Sequence, residues 1–574
     1  MSQETHQIKR NMGGLSLAAI LAKLVSRFFQ RGSSSNRNDL VRDDAKSFSG
    51  TTDILAPEGA HDEPFNDDLA EIDINNKHIR EITSEALQAL ISKNTPPTTY
   101  VRSGALVIIR VDEKNYPMIE EMSESTLRGR LDRSADYVRI TKKKDETITK
   151  PVNPPMEVVK DILTLGEWKF PPLEGIIECP NLRPDGTVIF DEGYDIPTHL
   201  YHHLAKDLRI TPIPECPSRQ DTIEAVNLLT EVIADFPFVD TSSTANALGL
   251  MLTPFVRPAI KGKVPLAIID APQAGTGKTL LASTVALIAT GHDHAIMTMP
   301  KNEEEVRKKI TSSLMIGTRI ITIDNLSGPL SSGELASVLS APEWSDRILG
   351  RSQMTRLPQW ATWMATGNNV TLGGDIPRRC YWIKLDAKKS QPWDRNEFCH
   401  PDLAGWVKEN RGALIWAALT IARSWFVAGC PQSNSRIIGG FSDWSKVIGG
   451  ILAYAGVDGF LGNLDTMYKQ TDDDSQEWEV FLVKLNNHFD GKSFKVSDVC
   501  EMFIKNILLR EYIPGSLWRN IKDDDVDSGS FRQSLGISFK KHSERRYGNS
   551  QIYIIKDSND NNHGVARWRI HQGE

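Results

Sequence analysis

The chain has 574 residues, 40% hydrophobic and 25% charged, the composition of a soluble globular protein with about three or four domains. A net charge of −7 and an isoelectric point near 6.1 exclude a protein coated all over by nucleic acid, so DNA contacts have to come from local basic patches. Six scattered cysteines with no C-x-x-C spacing exclude a zinc ribbon and a disulfide framework, and His199, His202 and His203 lie close in sequence without a partnered cysteine.

Residues 1–71 read as an amphipathic helix followed by a flexible linker. Leu15–Phe29 is apolar and helix-prone, but Lys23 and Arg27 interrupt it and it is shorter than the ~20 apolar residues of a bilayer span. A docking helix without stable membrane insertion is expected, in a cytoplasmic protein. The Ser-, Asn-, Asp- and Gly-rich stretch from 31 to about 70 has little periodicity. Residues 72–215 predict an accessory α+β domain, with strands over Val101–Val111 around a Ser103-Gly104 turn and a hairpin at Asp185-Gly186.

Residues 216–399 form the most informative segment. Helices over 218–262 lead into an alternation of short apolar strands and helices from 264 to 390, the pattern of a parallel α/β sheet. The apolar run Val264–Ile269 precedes Ala271-Pro272-Gln273-Ala274-Gly275-Thr276-Gly277-Lys278-Thr279, and a helical run Leu280–Ala289 follows. Strand, glycine loop and helix in that order make a phosphate cradle, in which backbone N–H groups and the helix N-terminus face the anion. Ala274 to Leu280 are the expected nucleotide-binding residues, with Lys278 on the β- and γ-phosphate oxygens and Thr279 on Mg²⁺. Pro272 stands where the first glycine of the usual motif belongs; Gly275 and Gly277 still permit the turn.

Forty-six residues beyond Lys278, the strand Arg319–Asp324 ends in an acid suited to the same Mg²⁺. A further strand, Ala361–Thr366, leads into Gly367-Asn368-Asn369, where Asn368 is placed to orient an attacking water. Then Arg378 and Arg379 precede the strand Cys380–Leu385 and are expected to reach the γ-phosphate in a neighbouring subunit. Residues 400–470 read as a helical extension of this core. After the acidic break at Asp472–Asp474, residues 477–574 predict helices over 477–489, 496–508 and 530–542, with strands 551–555 and 566–570 around a polar turn: a winged-helix-like DNA-binding domain. Residues 531–574 carry eight Lys/Arg against four acids, and Lys540, Lys541, Arg545 and Arg546 cluster where a recognition helix would end.

The order of phosphate loop, strand plus Asp, strand plus Gly-Asn-Asn and Asp-x-x-Arg-Arg resembles the AAA+-related superfamily 3 helicases, and more closely the helicase half of phage and mobile-element primase-helicases. The likeness spans roughly residues 150–465 and takes in PNLRPDGTVIFDEGYD and PEWSDRILGRS. It implies a homo-oligomeric ring, commonly a hexamer, that hydrolyses ATP between subunits and moves on single-stranded or forked DNA. It also implies a basic pore hairpin within Trp344–Gln359, with Arg351 and Arg356 as phosphate contacts. No primase half is evident upstream, so a separate primase or replication protein joins the expected partners. Asn325 follows Asp324 where many such motors carry a glutamate general base. An amide orients water but does not take its proton, which leaves Glu303, Glu304 or Glu305 to serve, or slow hydrolysis. An ATP-dependent DNA helicase in the replication of a phage, plasmid or mobile element is the first expectation. A nucleotide-switched DNA-binding initiator or regulator is the second, and an assembly ATPase tethered by the N-terminal helix the third.

Overall fold

The computed structural model describes residues 69–573 except 76, 144–145, 294, 348–353, 472, 519–524, 549 and 560–564. Arg351 and the helix expected at Leu15–Phe29 therefore lie outside the described residues.

The first elements are β1 (Ala70–Asp73), α1 (Ile79–Ser92), β2 (Tyr100–Arg102), β3 (Ala105–Val111), β4 (Pro117–Glu121), α2 (Glu124–Asp132), β5 (Ala135–Lys143), β6 (Glu146–Pro151) and α3 (Met156–Thr164). β2, β3 and β4 form an antiparallel meander. Its first turn runs through Ser103 and Gly104, at φ of 54° and 76°, left-handed values that glycine accepts without strain. β1 lies parallel to β5, and β5 antiparallel to β6. The three helices cover one side of that sheet: Ile82, Leu90, Leu127, Leu131 and Ile162 share a core with Ile72, Ala135 and Tyr137.

Five short strands follow: β7 (Gly175–Ile177), β8 (Asn181–Leu182), β9 (Val188–Ile189), β10 (Gly193–Asp195) and β11 (Leu200–His202). β8 and β9 are the arms of the hairpin expected at Asp185-Gly186, with Gly186 at φ 83°. Helices α4 (Arg219–Val232) and α5 (Thr241–Val256) lead into the central layer. This layer alternates β12 (Leu266–Ala271), α6 (Lys278–Thr290), β13 (Ala295–Met297), α7 (Glu303–Met315), β14 (Ile320–Leu326) and α8 (Gly333–Ser340). The hairpin β15 (Glu343–Arg347) and β16 (Met354–Pro358) comes next, then β17 (Thr362–Asn368) and β18 (Cys380–Lys384).

Five of these strands make one parallel sheet in the order β13-β14-β17-β12-β18. All six residues of β12 are buried, which is why the central strands read as unbroken apolar runs rather than alternating ones. The protein is thus a mixed α/β fold with a five-stranded parallel sheet at its centre.

Helices α9 (Leu403–Glu409), α10 (Arg411–Val427), α11 (Ser442–Ala455) and α12 (Leu464–Thr471) pack on this layer and share its core. The remaining elements, α13 (Asp473–Phe489), α14 (Val496–Lys505), α15 (Gly515–Trp518), α16 (Gly529–Lys541), β19 (Tyr553–Asn559) and β20 (Ala566–His571), enclose a second core of Trp478, Phe481, Phe494, Phe503, Phe539 and Trp568. α13 begins at Asp473, inside the stretch expected as an acidic break, rather than at 477, and two further boundaries differ from expectation. α14 stops at Lys505 because Asn506 turns extended, at φ −133° and ψ 95°. β19 runs on through Asn559, into residues expected as a polar turn, because pairing with β20 continues past a register shift between Lys556 and Ser558. No helix among the described residues is long and apolar enough to cross a membrane.

The N-terminal elements are held to the central layer by charge against carbonyls. Arg102 of β2, buried, donates to the Met315 and Leu314 carbonyls at the end of α7, both at 2.9 Å, and Ile119 N–H of β4 donates to Ile316 at 3.2 Å. A helix C-terminus carries partial negative charge, so a guanidinium there satisfies otherwise unpaired carbonyls. Arg102→Ala should cost about 1.5–3 kcal/mol, the worth of charged hydrogen bonds. Hydrogen exchange should show β2–β4 losing protection before the central sheet does; unchanged protection there would contradict this anchoring.

Candidate active site

The carboxyl ends of β12, β14 and β17 converge on one point, the usual place for a ligand in an open parallel sheet. β12 delivers the glycine loop. Gly275 and Gly277 have φ of 76° and 97°, and α6 begins at Lys278 with Gly277 as its N-cap. Both glycines are also closely packed: a Cβ would lie 3.1 Å from the Trp393 ring at Gly275 and 3.1 Å from the Phe236 ring at Gly277.

Lys278 lies nearly buried under this loop. Its ammonium donates to Asn368 Oδ1 at 2.7 Å and to the Gln273 carbonyl at 3.1 Å. Burial pulls its pKa below the ordinary lysine value, against the opposing pull of Asp270 and Asp324. Next along α6, Thr279 Oγ1 donates to Asp324 Oδ1 at 2.9 Å. The structure therefore brings together Lys278, Thr279, Asp324 and Asn368, which the sequence separates by up to 90 positions. Ala274 and Leu280 bracket the same loop, with Leu280 exposed at the first turn of α6.

Three further residues belong to this constellation and escaped the sequence reading. Thr366 of β17 donates to Asp324 Oδ1 at 2.6 Å and accepts from Asn325 N–H at 3.1 Å. Asp270, at the end of β12, accepts from Val370 N–H at 3.0 Å and sits 3.9 Å from Lys384 Nζ; burial raises its pKa. An acid closing an otherwise apolar strand is a visible signal for the second. Trp393, 60% exposed, leans over Gly275 and forms one wall of a groove with Phe236, Leu280, Arg395 and Phe398. That groove opens directly from the glycine loop, and its aromatic walls suit a flat ring.

The two arginines divide. Arg379 is tied down, donating to Ser340 Oγ and, at 2.6 Å, to the Asp375 carbonyl. Arg378 is exposed. Glu303 accepts from Ser332 Oγ at 2.8 Å and from Glu334 N–H at 3.1 Å, so it caps α8. Glu304 and Glu305 pair with Lys308 at 3.1 and 2.9 Å. Asn325 has a left-handed backbone, φ 55°, where β14 and β17 lose register.

The β15–β16 hairpin presents two different faces. Inward, Asp346 accepts from Thr311 Oγ1 at 2.5 Å, with Arg307 3.6 Å away, and Trp344 Nε1 donates to Thr311 at 2.8 Å. Outward, Met354 and Arg356 are exposed. Lys540, Lys541, Arg545 and Arg546 are exposed at the end of α16, far along the chain; Arg545 donates to Ser475 and Arg546 lies over the Tyr553 ring at 4.7 Å.

The residues fit a magnesium nucleotide. The cradle is one that a Cβ would fill, a lysine and a helix N-terminus face it, and a hydroxyl and a carboxylate at adjacent positions make a hard-oxygen donor set.

No family model matches the chain, and no curated protein matches it. Among solved structures it is similar to the apo A form of the NrS-1 C-terminal region, at 11% identity over 84% of this chain and 98% of that one, TM-score 0.34. It is similar to the active helicase Cch of SCCmec type IV, at 10% identity over 83% and 97%, TM-score 0.31. It is also similar to the JCV helicase bound to an acetamide ligand, at 13% identity over 43% and 73%, TM-score 0.20. At such scores and identities none of these likenesses carries an argument about what the chain does.

Thr366 supports Asp324 from behind, and such supporting contacts typically tune metal affinity by about 10–100-fold. Thr366→Val should weaken magnesium-dependent binding of a fluorescent ATP analogue by about that factor, with Thr366→Ser restoring it. Equal affinity for the valine variant would remove Thr366 from the site.

Proposed function

We propose that the chain is an ATP-dependent DNA helicase or translocase of superfamily 3 type, working as an oligomeric ring in the replication of a phage, plasmid or mobile element. The observation that carries this reading is the convergence of Lys278, Thr279, Asp324 and Asn368 at the ends of three adjacent parallel strands. β17 runs between the strand bearing the glycine loop and the strand bearing Asp324, so its tip touches both halves of the site.

In this reading the glycine loop and α6 N-terminus bind the phosphates, and Lys278 turns from Asn368 toward them. Thr279 and Asp324 hold Mg²⁺, which when bound draws charge from the β- and γ-phosphate oxygens. Asn368, released from Lys278, orients the attacking water, while Trp393 and Phe398 cover the base. Arg378 of a neighbouring subunit supplies positive charge to the transition state; Arg379, already bonded to Ser340 and Asp375, shapes the turn that presents it. Arg356 on the outward hairpin face, with Arg351, contacts the DNA backbone. The C-terminal elements serve as a winged-helix-like DNA-binding domain through Lys540, Lys541, Arg545 and Arg546.

Asn325 favours a second reading: a nucleotide-switched initiator or regulator that assembles on DNA with little unwinding. No carboxylate follows Asp324, and Glu303, Glu304 and Glu305 are all engaged elsewhere.

ATP hydrolysis measured with and without forked DNA, alongside strand displacement, separates the two. The helicase reading expects stimulation by DNA and complete loss in Lys278→Ala; ATPase indifferent to DNA would sink it. Arg378→Ala should lower turnover by about 10³-fold with nucleotide affinity retained, the usual worth of such an arginine. Mixing it with Lys278→Ala should restore part of the activity, since one of the two kinds of mixed interface then joins an intact Lys278 to an intact Arg378. An Arg379→Ala loss rescued equally by mixing would reverse the assignment of the two arginines.

A further inference from the structure

The N-terminal elements contain a basic two-stranded ribbon apart from the candidate nucleotide site. β1 runs beside β5 only as far as Asp73 opposite Val138, and the Asn75 side chain closes the sheet edge on the Ile140 carbonyl at 2.7 Å. Beyond that point β5 and β6 continue alone as a two-stranded antiparallel ribbon. Register fixes what it presents. Arg139 stands directly opposite Lys150, on the face that buries Ala135 and Tyr137 further back, and Lys142 stands opposite Thr147 on the other face. Arg139, Thr141, Lys142, Thr147, Thr149 and Lys150 are all exposed.

Like charges directly across a strand pair repel, and a solvated surface normally relieves this with nearby acids. Several other cations of these elements are relieved by acids or by main-chain and hydroxyl oxygens. Lys77 pairs with Glu85 and Arg110 with Glu120, at 2.8 and 2.6 Å. Arg102, Arg128 and Arg133 donate to main-chain carbonyls, and Arg130 to the Thr98 and Thr99 hydroxyls. Arg139, Lys142 and Lys150 have no carboxylate partner among the described residues. Cations without a carboxylate partner among the described residues, on both faces of a narrow ribbon and interleaved with threonine hydroxyls, match the phosphates along the two walls of a duplex groove, which admits a two-stranded ribbon.

We propose that the β5–β6 ribbon is a binding surface for duplex DNA, separate from the hairpin β15–β16 and from the C-terminal elements. It holds the duplex by its backbone through Arg139, Lys142 and Lys150. Affinity of this origin falls with salt, because each neutralised phosphate releases a counterion.

The test uses the full chain, without nucleotide, and a fluorescein-labelled DNA duplex followed by anisotropy from about 50 to 200 mM NaCl. The triple variant Arg139→Ala/Lys142→Ala/Lys150→Ala should bind at least about tenfold more weakly at the low-salt end, with the slope of log K against log salt smaller by about two to three. The charge-preserving pair Arg139→Lys/Lys150→Arg should keep both affinity and slope. The thermal unfolding midpoint should be the same in all three proteins, which reports that they fold. A triple variant with wild-type affinity and slope, or a wild-type chain that does not bind duplex, would overturn the proposal. Because the readout needs no hydrolysis, it stands or falls apart from the motor reading.

Discussion

Strand β17 is held on both flanks by its own last polar side chains. Asn368 accepts from Lys278 on the β12 side, and Thr366 donates to Asp324 on the β14 side. Both contacts lie where apolar strands give out and water would otherwise enter. If β17 shifted by one residue, every side chain would change face and both bonds would break together. The positions of the glycine loop, the acid and the amide are therefore one constraint rather than three, and the buried strand interior, with Trp363, Ala365 and Ile268 wholly enclosed, enforces it.

A second theme is the use of buried guanidinium groups as mortar. Arg411 donates to Ile288 and Ala289 at the end of α6 and to the Glu178 carbonyl, at 3.0, 3.3 and 2.8 Å. Arg102 does the same at the end of α7. Arg257, whose pKa burial depresses to about 9, donates to the Ile260 and Gln359 carbonyls and lies over the Trp360 ring. Burying an unpaired cation is costly, and here helix ends and carbonyls rather than carboxylates offset it. These arginines sit away from the carboxyl ends of β12, β14 and β17, so they do not compete with the candidate site for its polar groups.

Much of the site was legible because its elements are local. The glycine loop between an apolar run and a helical run, the acid closing Arg319–Asp324, and Asn368 after Ala361–Thr366 each announce themselves within a dozen residues. What stayed hidden depends on partners far along the chain. Thr366 looks like one more strand threonine until Asp324 is beside it. Trp393 reads as a loop aromatic until Gly275 is seen to need the space beneath it. Glu303, Glu304 and Glu305 looked available as bases in a charged run. The structure assigns them to helix capping and to Lys308, ordinary work for acids in a first helical turn. The pair Arg378-Arg379 could not be divided by sequence, since the contacts of Arg379 with Ser340 and the Asp375 carbonyl are what separate them.

The left-handed backbone at Asn325 links catalytic options to chain geometry. At φ 55° an asparagine is tolerated, whereas a longer or branched side chain is disfavoured by about 1–2 kcal/mol. Aspartate shares asparagine's tolerance of this conformation, but glutamate, the longer acid, is disfavoured, so the longer base does not enter position 325 without disturbing the pairing of β14 and β17. A longer acid here requires the bulge to be remodelled first and the side chain exchanged second, so the choice of residue at this position is set by the path of the main chain.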